Sequence, residues 1–107
     1  MEPIEQALLD FFILAARKDE TLLMQLRKTH TFTIDETRWC FTLPDLYWFI
    51  KNYSKVFTTI DYKQFRQLLY NSPVNEFIKQ HDAKIIITDN RGNINESGYA
   101  LSWIDNS

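Results

Sequence analysis

The segment that most limits how this chain can fold is an N-terminal helix with apolar residues around most of its circumference. Pro3 is a favoured first residue of a helix, and one apolar stripe follows at helical spacing, formed by Ile4, Ala7, Leu8, Phe11, Phe12 and Ala15. A second apolar set, Leu9, Ile13 and Ala16, lies away from that stripe. A helix that is apolar on two faces must be covered on two sides. The second cover is either the domain's own later helices or a second copy of the chain, so these three residues are candidate oligomer contacts.

A charged interruption follows this helix at Arg17 to Glu20, before leucines resume as far as Lys28. An unbroken helix from Pro3 to Lys28 would span about 39 Å at about 1.5 Å per residue, which is longer than a compact domain of this size. The helix therefore either breaks near residues 18–20 or projects to meet a partner.

Alternating apolar residues predict strands on both sides of the middle of the chain. Two short strands are expected between Thr29 and Leu43, separated by a turn at Asp35-Glu36-Thr37. The β-branched run at residues 84–88 predicts a third strand, and residues 99–104 a fourth. Both glycines of the protein lie between these last two strands, in a predicted hairpin loop at residues 89–98.

Three helices are predicted between the strands. Thr42-Leu43-Pro44-Asp45 has the pattern of a capping box, and the helix that follows, to about Tyr53, would place Leu46, Ile50 and Tyr53 inward. Thr58 or Thr59 is the expected N-cap of a second helix ending near Tyr70 or Asn71. Ser72 is expected to cap a short third helix that begins at Pro73.

Trp48 is predicted to lie on the outward side of the first of these helices. Packing under a neighbouring element is the favoured interpretation, because a chain with 15% aromatic residues must bury most of them. The alternative is that Trp48 contacts a partner, which makes it a fourth candidate oligomer contact.

Length and composition favour one small α+β domain over residues 1–107, with helices packed on a short antiparallel sheet. With 107 residues, of which 45% are hydrophobic, the chain can bury a sizeable core. We expect an N-terminal helical region at residues 1–28, packed across a core at residues 39–104.

Several observations favour a cytoplasmic protein. The single Cys40 permits no internal disulfide and lies between two aromatic residues, where it is expected to be a small buried hydrophobe. No basic leader and no apolar run of about 20 residues are present, so we expect neither export nor a membrane partner.

The sequence contains no motif that would supply catalysis. With two glycines it offers no phosphate-binding loop, and it has none of the common metal, nucleotide or nucleophile patterns. His30 and His81 follow helices, where they suit charge partners of the helix dipole better than catalytic bases. We expect no enzymatic activity, no metal and no cofactor.

The order of helix, strand, helix, helix, short helix, strand, loop and strand resembles the general plan of winged-helix domains over Trp39 to Ile104. The resemblance implies that the helix near residues 60–70 is a recognition helix and that the loop at 89–98 is the wing. The residues that would then contact duplex DNA are Lys63, Arg66, Gln67 and Tyr70 on the helix and Arg91 at the wing tip.

Two function classes follow from these patterns. The leading hypothesis is a noncatalytic binding or assembly module that acts through protein–protein contact or homo-oligomerisation. The alternative is a winged-helix protein that binds duplex DNA. A net charge of −2 favours the protein partner, because affinity for DNA grows with the number of phosphates that the protein neutralises.

Overall fold

The computed structural model describes residues 3–89, 92 and 97–103. This part of the chain contains five α-helices packed on four antiparallel strands, which confirms the predicted α+β class. The elements are α1 (Pro3–Ala16), α2 (Glu20–Arg27), β1 (Thr33–Ile34), β2 (Arg38–Phe41), α3 (Leu43–Tyr53), α4 (Tyr62–Asn71), α5 (Val74–Ile78), β3 (Ala83–Asp89) and β4 (Gly98–Trp103).

The strands form one sheet in the order β1-β2-β4-β3, and every neighbouring pair is antiparallel. The predicted hairpin is confirmed, since β3 pairs directly with β4. The last strand lies at the centre of the sheet, where Leu101 is opposite Trp39 on one side and Ile85 on the other. Consequently β1 and β3 form the two edges.

The N-terminal helical region breaks at residues 17–19, so no long projecting helix exists. Lys18 has a φ of 57°, a left-handed conformation that ends α1. The side chain of Asp19 then accepts a hydrogen bond from the amide of Leu22 and caps α2. The charged segment therefore contains both the end of one helix and the start of the next.

Both apolar faces of α1 are covered by this chain's own elements. Leu9 and Phe12 are fully buried and Ala16 is 4% exposed, while Ile13 is half-buried. The core that covers them includes Trp39 and Phe57. One copy of the chain therefore buries most of both apolar faces of α1.

The N-cap predicted for α4 is wrong. A 3-10 helix at Lys55–Thr59 precedes it, in which the Thr58 hydroxyl donates to the carbonyl of Lys55. The cap is Asp61, whose carboxylate accepts from the amide of Gln64 at 2.8 Å. The Gln64 side chain accepts from the Asp61 amide at 3.0 Å in return. A carboxylate with this reciprocal partner satisfies two backbone amides at the helix start, which explains why the helix begins here.

The cap predicted for α5 is also wrong. The Ser72 hydroxyl donates to the carbonyl of Leu68 at 2.6 Å, so it closes the end of α4 instead of opening α5. Pro73 holds the N-cap position of α5, which has no side-chain cap. The predicted end of α4 at Asn71 is confirmed, because Ser72 adopts the extended conformation that a following proline favours.

Two aromatic residues of α3 lie further out than predicted. Leu46 and Ile50 are buried as expected, but Tyr53 is 36% exposed and Trp48 is 64% exposed. In the part of the chain that the structure describes, Trp48 is not packed under a neighbouring element, so the favoured packing interpretation is wrong. The ammonium of Lys51 lies 5.1 Å from the centroid of the Trp48 ring, which is a cation–π contact.

Within the described residues, no helix has the length and hydrophobicity needed to cross a membrane.

Candidate functional site

An apolar cleft lies between the α4–α5 junction and one face of the sheet. Its volume is about 290 Å³. The apolar side chains that line it come from both layers and are Phe41, Leu43, Leu69, Val74 and Ile85. A concave apolar surface with a few polar groups at its margin is the usual form of a binding site.

The break between α4 and α5 makes this cleft possible. Ser72 has φ −94° and ψ 139°, so the chain turns out of the helical direction before Pro73. Pro73 cannot continue α4, because proline lacks the N–H that an internal helical position donates. The two helices therefore diverge at the point where they face Tyr99 of the sheet, and Ser72, Pro73 and Tyr99 all line the cleft.

Two tyrosine hydroxyls meet in the cleft. Those of Tyr70 and Tyr99 lie 3.3 Å apart, within hydrogen-bond distance. Burial, together with the hydrogen bond between Tyr99 and Tyr70, raises the pKa of Tyr99 to about 12. The Tyr99 phenol therefore keeps its proton at neutral pH and can donate to a ligand or to its tyrosine partner.

One end of the cleft is closed by a contact between α5 and the sheet edge. The side-chain oxygen of Asn75 accepts from the backbone amide of Ile85 at 2.8 Å. The side-chain nitrogen of Asn75 lies 3.5 Å from the Ile85 carbonyl oxygen, to which it donates. The amide of Asn75 thus engages both backbone polar groups of one strand residue.

The margin of the cleft is partly exposed and carries an acidic side chain. Tyr70 is 57% exposed, and Ile87, which lies opposite Tyr99 in the sheet, is 59% exposed. Among the described residues that line the cleft, Glu76 is the only acidic or basic one. Across the described residues, no group of three or more His, Cys, Asp or Glu side chains could hold a metal ion.

The predicted DNA contacts share α4 but differ in availability. Lys63 and Gln67 are exposed. Arg66 is half-buried, with its guanidinium 5.6 Å from the centroid of the Tyr62 ring. Tyr70 is exposed but belongs to the cleft, and Arg91 lies outside the described residues. The structure therefore presents two fully exposed polar side chains of the predicted set along this helix face.

Arg66 and Tyr62 also affect each other's electrostatics. Burial raises the pKa of Tyr62, while the charge of Arg66 and a hydrogen bond between the two side chains act in the opposite direction. Part of the hydrogen-bonding capacity of the guanidinium is thus used within the helix.

The four predicted oligomer contacts also differ in how exposed their side chains are. Leu9 and Ala16 are buried, whereas Ile13 is half-buried and Trp48 is exposed. Surface for a second copy therefore remains only at Ile13 and Trp48 among these four. Whether the chain dimerises stays a prediction.

Most of the cleft was missed from the sequence, which singled out Tyr70 alone among its residues. The Ser72-Pro73 pair indicated a break between helices and thus a local irregularity. No sequence signal pairs Tyr70 with Tyr99, because those two residues are 29 positions apart and meet through tertiary packing.

Comparisons with protein-family models, with curated proteins and with solved structures found no match, and the winged-helix resemblance is accordingly not confirmed.

Proposed function

We propose that this chain is a noncatalytic binding module that recognises another protein through the α4–α5 cleft. The observation that carries the proposal is an apolar cleft whose lining continues into exposed apolar surface at Tyr70 and Ile87. Exposed aromatic and aliphatic side chains beside a cleft are typical of protein interaction sites. Tyrosine in particular is enriched among the residues that dominate binding energy.

The size of the cleft suits an anchor side chain of a partner. A volume of about 290 Å³ lies at the lower end of the range for small-molecule pockets. Burying one large apolar side chain contributes about 1.5 to 3 kcal/mol, and protein interfaces commonly rely on a few such anchors. The cleft would therefore hold one or two anchor residues, with Tyr70 and Ile87 extending the contact.

The polar groups of the cleft suit recognition better than catalysis. A general base works best when its pKa lies near the working pH, whereas burial keeps the Tyr99 phenol protonated up to about pH 12. The paired hydroxyls of Tyr70 and Tyr99 can instead orient one hydrogen-bonding group of a partner.

The proposal is tested by selecting random linear peptides of about twelve residues, displayed on phage, against the whole chain. Leu69→Trp should fill the cleft and abolish binding of the selected peptides. Met24→Trp is the matched control, because Met24 is exposed on α2 and does not line the cleft. Circular dichroism checks the fold of each variant. Should Leu69→Trp disturb the fold, Tyr70→Ala removes an exposed wall of the cleft instead. Peptides that bind the cleft variants as well as the parent chain would overturn the proposal.

A second candidate function is binding of duplex DNA through α4. Two observations favour it. Lys63 and Gln67 are exposed along one helix, and strands β2, β4 and β3 lie side by side in the sheet in that order. Binding of a labelled random duplex is measured by fluorescence anisotropy at about 50 and about 200 mM salt. If α4 contacts DNA, Lys63→Ala should reduce the salt slope by about 0.9, the value of one phosphate contact. Lys84→Ala, on β3, is the control, and an equal effect of both variants would exclude α4 as the interface.

Self-association is a second form of the protein-binding proposal, in which the partner is another copy of this chain. Ile13 and Trp48 are the predicted contacts that retain exposed surface. In a homodimer through these residues, Ile13→Glu combined with Trp48→Glu should halve the mass measured by sedimentation. A folded double variant of unchanged mass would contradict a dimer through Ile13 or Trp48. Leu9 is unsuitable for such a test because it is fully buried, and a charge there would unfold the core.

We place this module in the cytoplasm. The support is Cys40, the single cysteine of the chain, which lies in β2 as a free thiol. Small proteins of oxidising compartments rely more often on disulfides.

A further inference from the structure

Strand β3 lies at the outer edge of the sheet, where, among the described residues, β4 is its only neighbouring strand. In an antiparallel pair, successive residues of a strand alternately direct their backbone N–H and C=O toward the neighbour and away from it. Ile85 directs both groups away from β4, because the Asn75 side chain engages them. Ile87 lies two residues further on and is still in register, opposite Tyr99, so its N–H also points outward. The register of the pair shifts directly after it, between Ile87 and Asp89.

The Asn75 contact shows what kind of partner this edge accepts. Its amide offers one acceptor and one donor to Ile85, which is the pair of groups that a residue of an added strand would offer. At Ile85 the Asn75 side chain already makes both of these hydrogen bonds, so no added strand can pair there. The next outward position along β3 is Ile87.

The side chain of Ile87 connects this edge to the cleft. Residues opposite each other in a sheet project to the same face, so Ile87 lies on the face of Tyr99, which lines the cleft. Ile87 is 59% exposed. A chain segment that pairs with β3 at Ile87 would therefore run beside the cleft and could place an alternate side chain in it.

The charge of the cleft constrains that segment further. Glu76 is the charged residue of the lining, and no lysine or arginine of the described residues accompanies it there. A basic residue next to the apolar anchor would complement this carboxylate, whereas an acidic residue or a phosphate group would be repelled.

We propose that the cleft binds an extended segment of a partner protein, which adds to the edge of β3 at Ile87 and places an apolar residue, adjacent to a basic one, between the α4–α5 junction and the sheet. This inference rests on the proposed function, because it requires the cleft to be a protein-binding site. Recognition by strand addition takes its affinity from backbone hydrogen bonds and its specificity from pockets for alternate side chains. A helical partner would satisfy its own backbone groups and gain nothing from the outward N–H of Ile87.

The test compares two display libraries on the whole chain, namely random linear peptides and the same number of random positions on a stable helical scaffold. We expect enrichment from the linear library, with an apolar residue next to lysine or arginine. Peptides selected from it are then labelled with fluorescein and titrated against variants at position 87 and at Glu76.

Two variants at one position separate the backbone from the side chain. Ile87→Ala keeps the outward N–H, whereas Ile87→Pro removes it, and proline is tolerated in an edge strand where its nitrogen faces outward. The proline variant should bind the peptide about twofold to tenfold more weakly than the alanine variant does. This ratio corresponds to the loss of one hydrogen bond. Methylation of alternate backbone nitrogens of the peptide removes the N–H groups that the peptide would donate to carbonyls of β3. It should weaken binding to the parent chain similarly, which tests the complementary hydrogen bonds of strand pairing without altering the protein. Glu76→Gln should weaken binding of basic peptides by up to about fivefold.

The outcomes separate the inference from the proposed function. If Leu69→Trp abolishes binding but the proline and alanine variants bind equally and peptide methylation has no effect, the cleft is a protein site and strand addition is overturned. Enrichment from the helical library alone leads to the same conclusion. If neither library yields binders sensitive to Leu69→Trp, both proposals are overturned.

Discussion

The indole N–H of Trp103 donates a hydrogen bond of 3.0 Å to the carbonyl oxygen of Ala15, across 88 residues of sequence. Trp103 ends β4 and Ala15 lies in the last turn of α1, so the bond joins the last described strand to the first helix. The last carbonyls of a helix have no partner within the helix, and this one is satisfied by a buried side chain and by the amide of Lys18.

Trp103→Phe should lower the free energy of unfolding more than Trp39→Phe does. Both changes replace a buried indole by a phenyl ring, but the Trp39 indole nitrogen is buried without a hydrogen-bond partner among the described residues. The Trp103 variant loses a hydrogen bond in addition, so the difference should be about 1 kcal/mol. Urea unfolding of the two variants measures it. Equal losses would show that the bond to Ala15 does not stabilise the fold.

Asp61→Ala should lower the free energy of unfolding by about 1 kcal/mol, the usual cost of removing an N-cap side chain. The reason is that Asp61 and Gln64 satisfy each other's backbone amides at the start of α4. Thr58→Ala is the control and should cost less, because the Thr58 hydroxyl bonds to the carbonyl of Lys55 within the preceding 3-10 helix. Thermal unfolding followed by circular dichroism compares the two. A larger loss for Thr58→Ala would place the cap at the position that the sequence pattern favoured.

Tyr99 should make the protein less stable in alkali. Burial and the Tyr70 hydroxyl raise the pKa of Tyr99 to about 12, whereas an unfolded tyrosine ionises near pH 10. Between these values the unfolded state loses the proton first, so the stabilisation is complete below about pH 10 and is lost as the pH rises toward 12. Tyr99→Phe should flatten this dependence in urea unfolding at several pH values. An unchanged alkaline slope in the variant would assign the loss to other groups.

Asp35 should make the protein less stable in acid, because its stabilising hydrogen bonds require an ionised carboxylate. The Thr37 hydroxyl donates to its carboxylate at 2.7 Å, and the backbone amides of Thr37 and Arg38 donate as well. These bonds lower the pKa of Asp35, with the Thr37 hydroxyl as the largest cause. The stabilisation is present above the unfolded pKa near 4 and is lost as the pH falls through the lower folded value.

Carboxyl chemical shifts followed by NMR during an acid titration measure this pKa directly. Thr37→Val removes the largest cause and should move the pKa of Asp35 back toward its ordinary range. If Thr37→Val leaves the pKa unchanged, the two backbone amides account for the shift instead.

Local patterns determined much of the secondary structure, because caps, breaks and periods depend on residues within one or two turns of each other. The capping threonine at Thr42 lies where expected, and its side chain accepts from the amide of Asp45. The break after α1, the end of α4 at Asn71 and the β3–β4 hairpin also follow from nearby residues. Even so, local rules chose the wrong cap at Thr58, because a hydroxyl and a carboxylate three residues apart offered two acceptable helix starts.

The α+β class and the inward face of most elements were thus predictable from the order of the residues alone. Tertiary structure decided which surfaces are left over. Leu9 is buried by the chain's own core, while Trp48 is exposed, although both were candidate oligomer contacts. The cleft is formed where two layers meet, with Tyr70 against Tyr99 and Asn75 against Ile85. Periodicity states which side of an element is apolar, but it does not state which other element covers that side, because burial is a property of the packed pair.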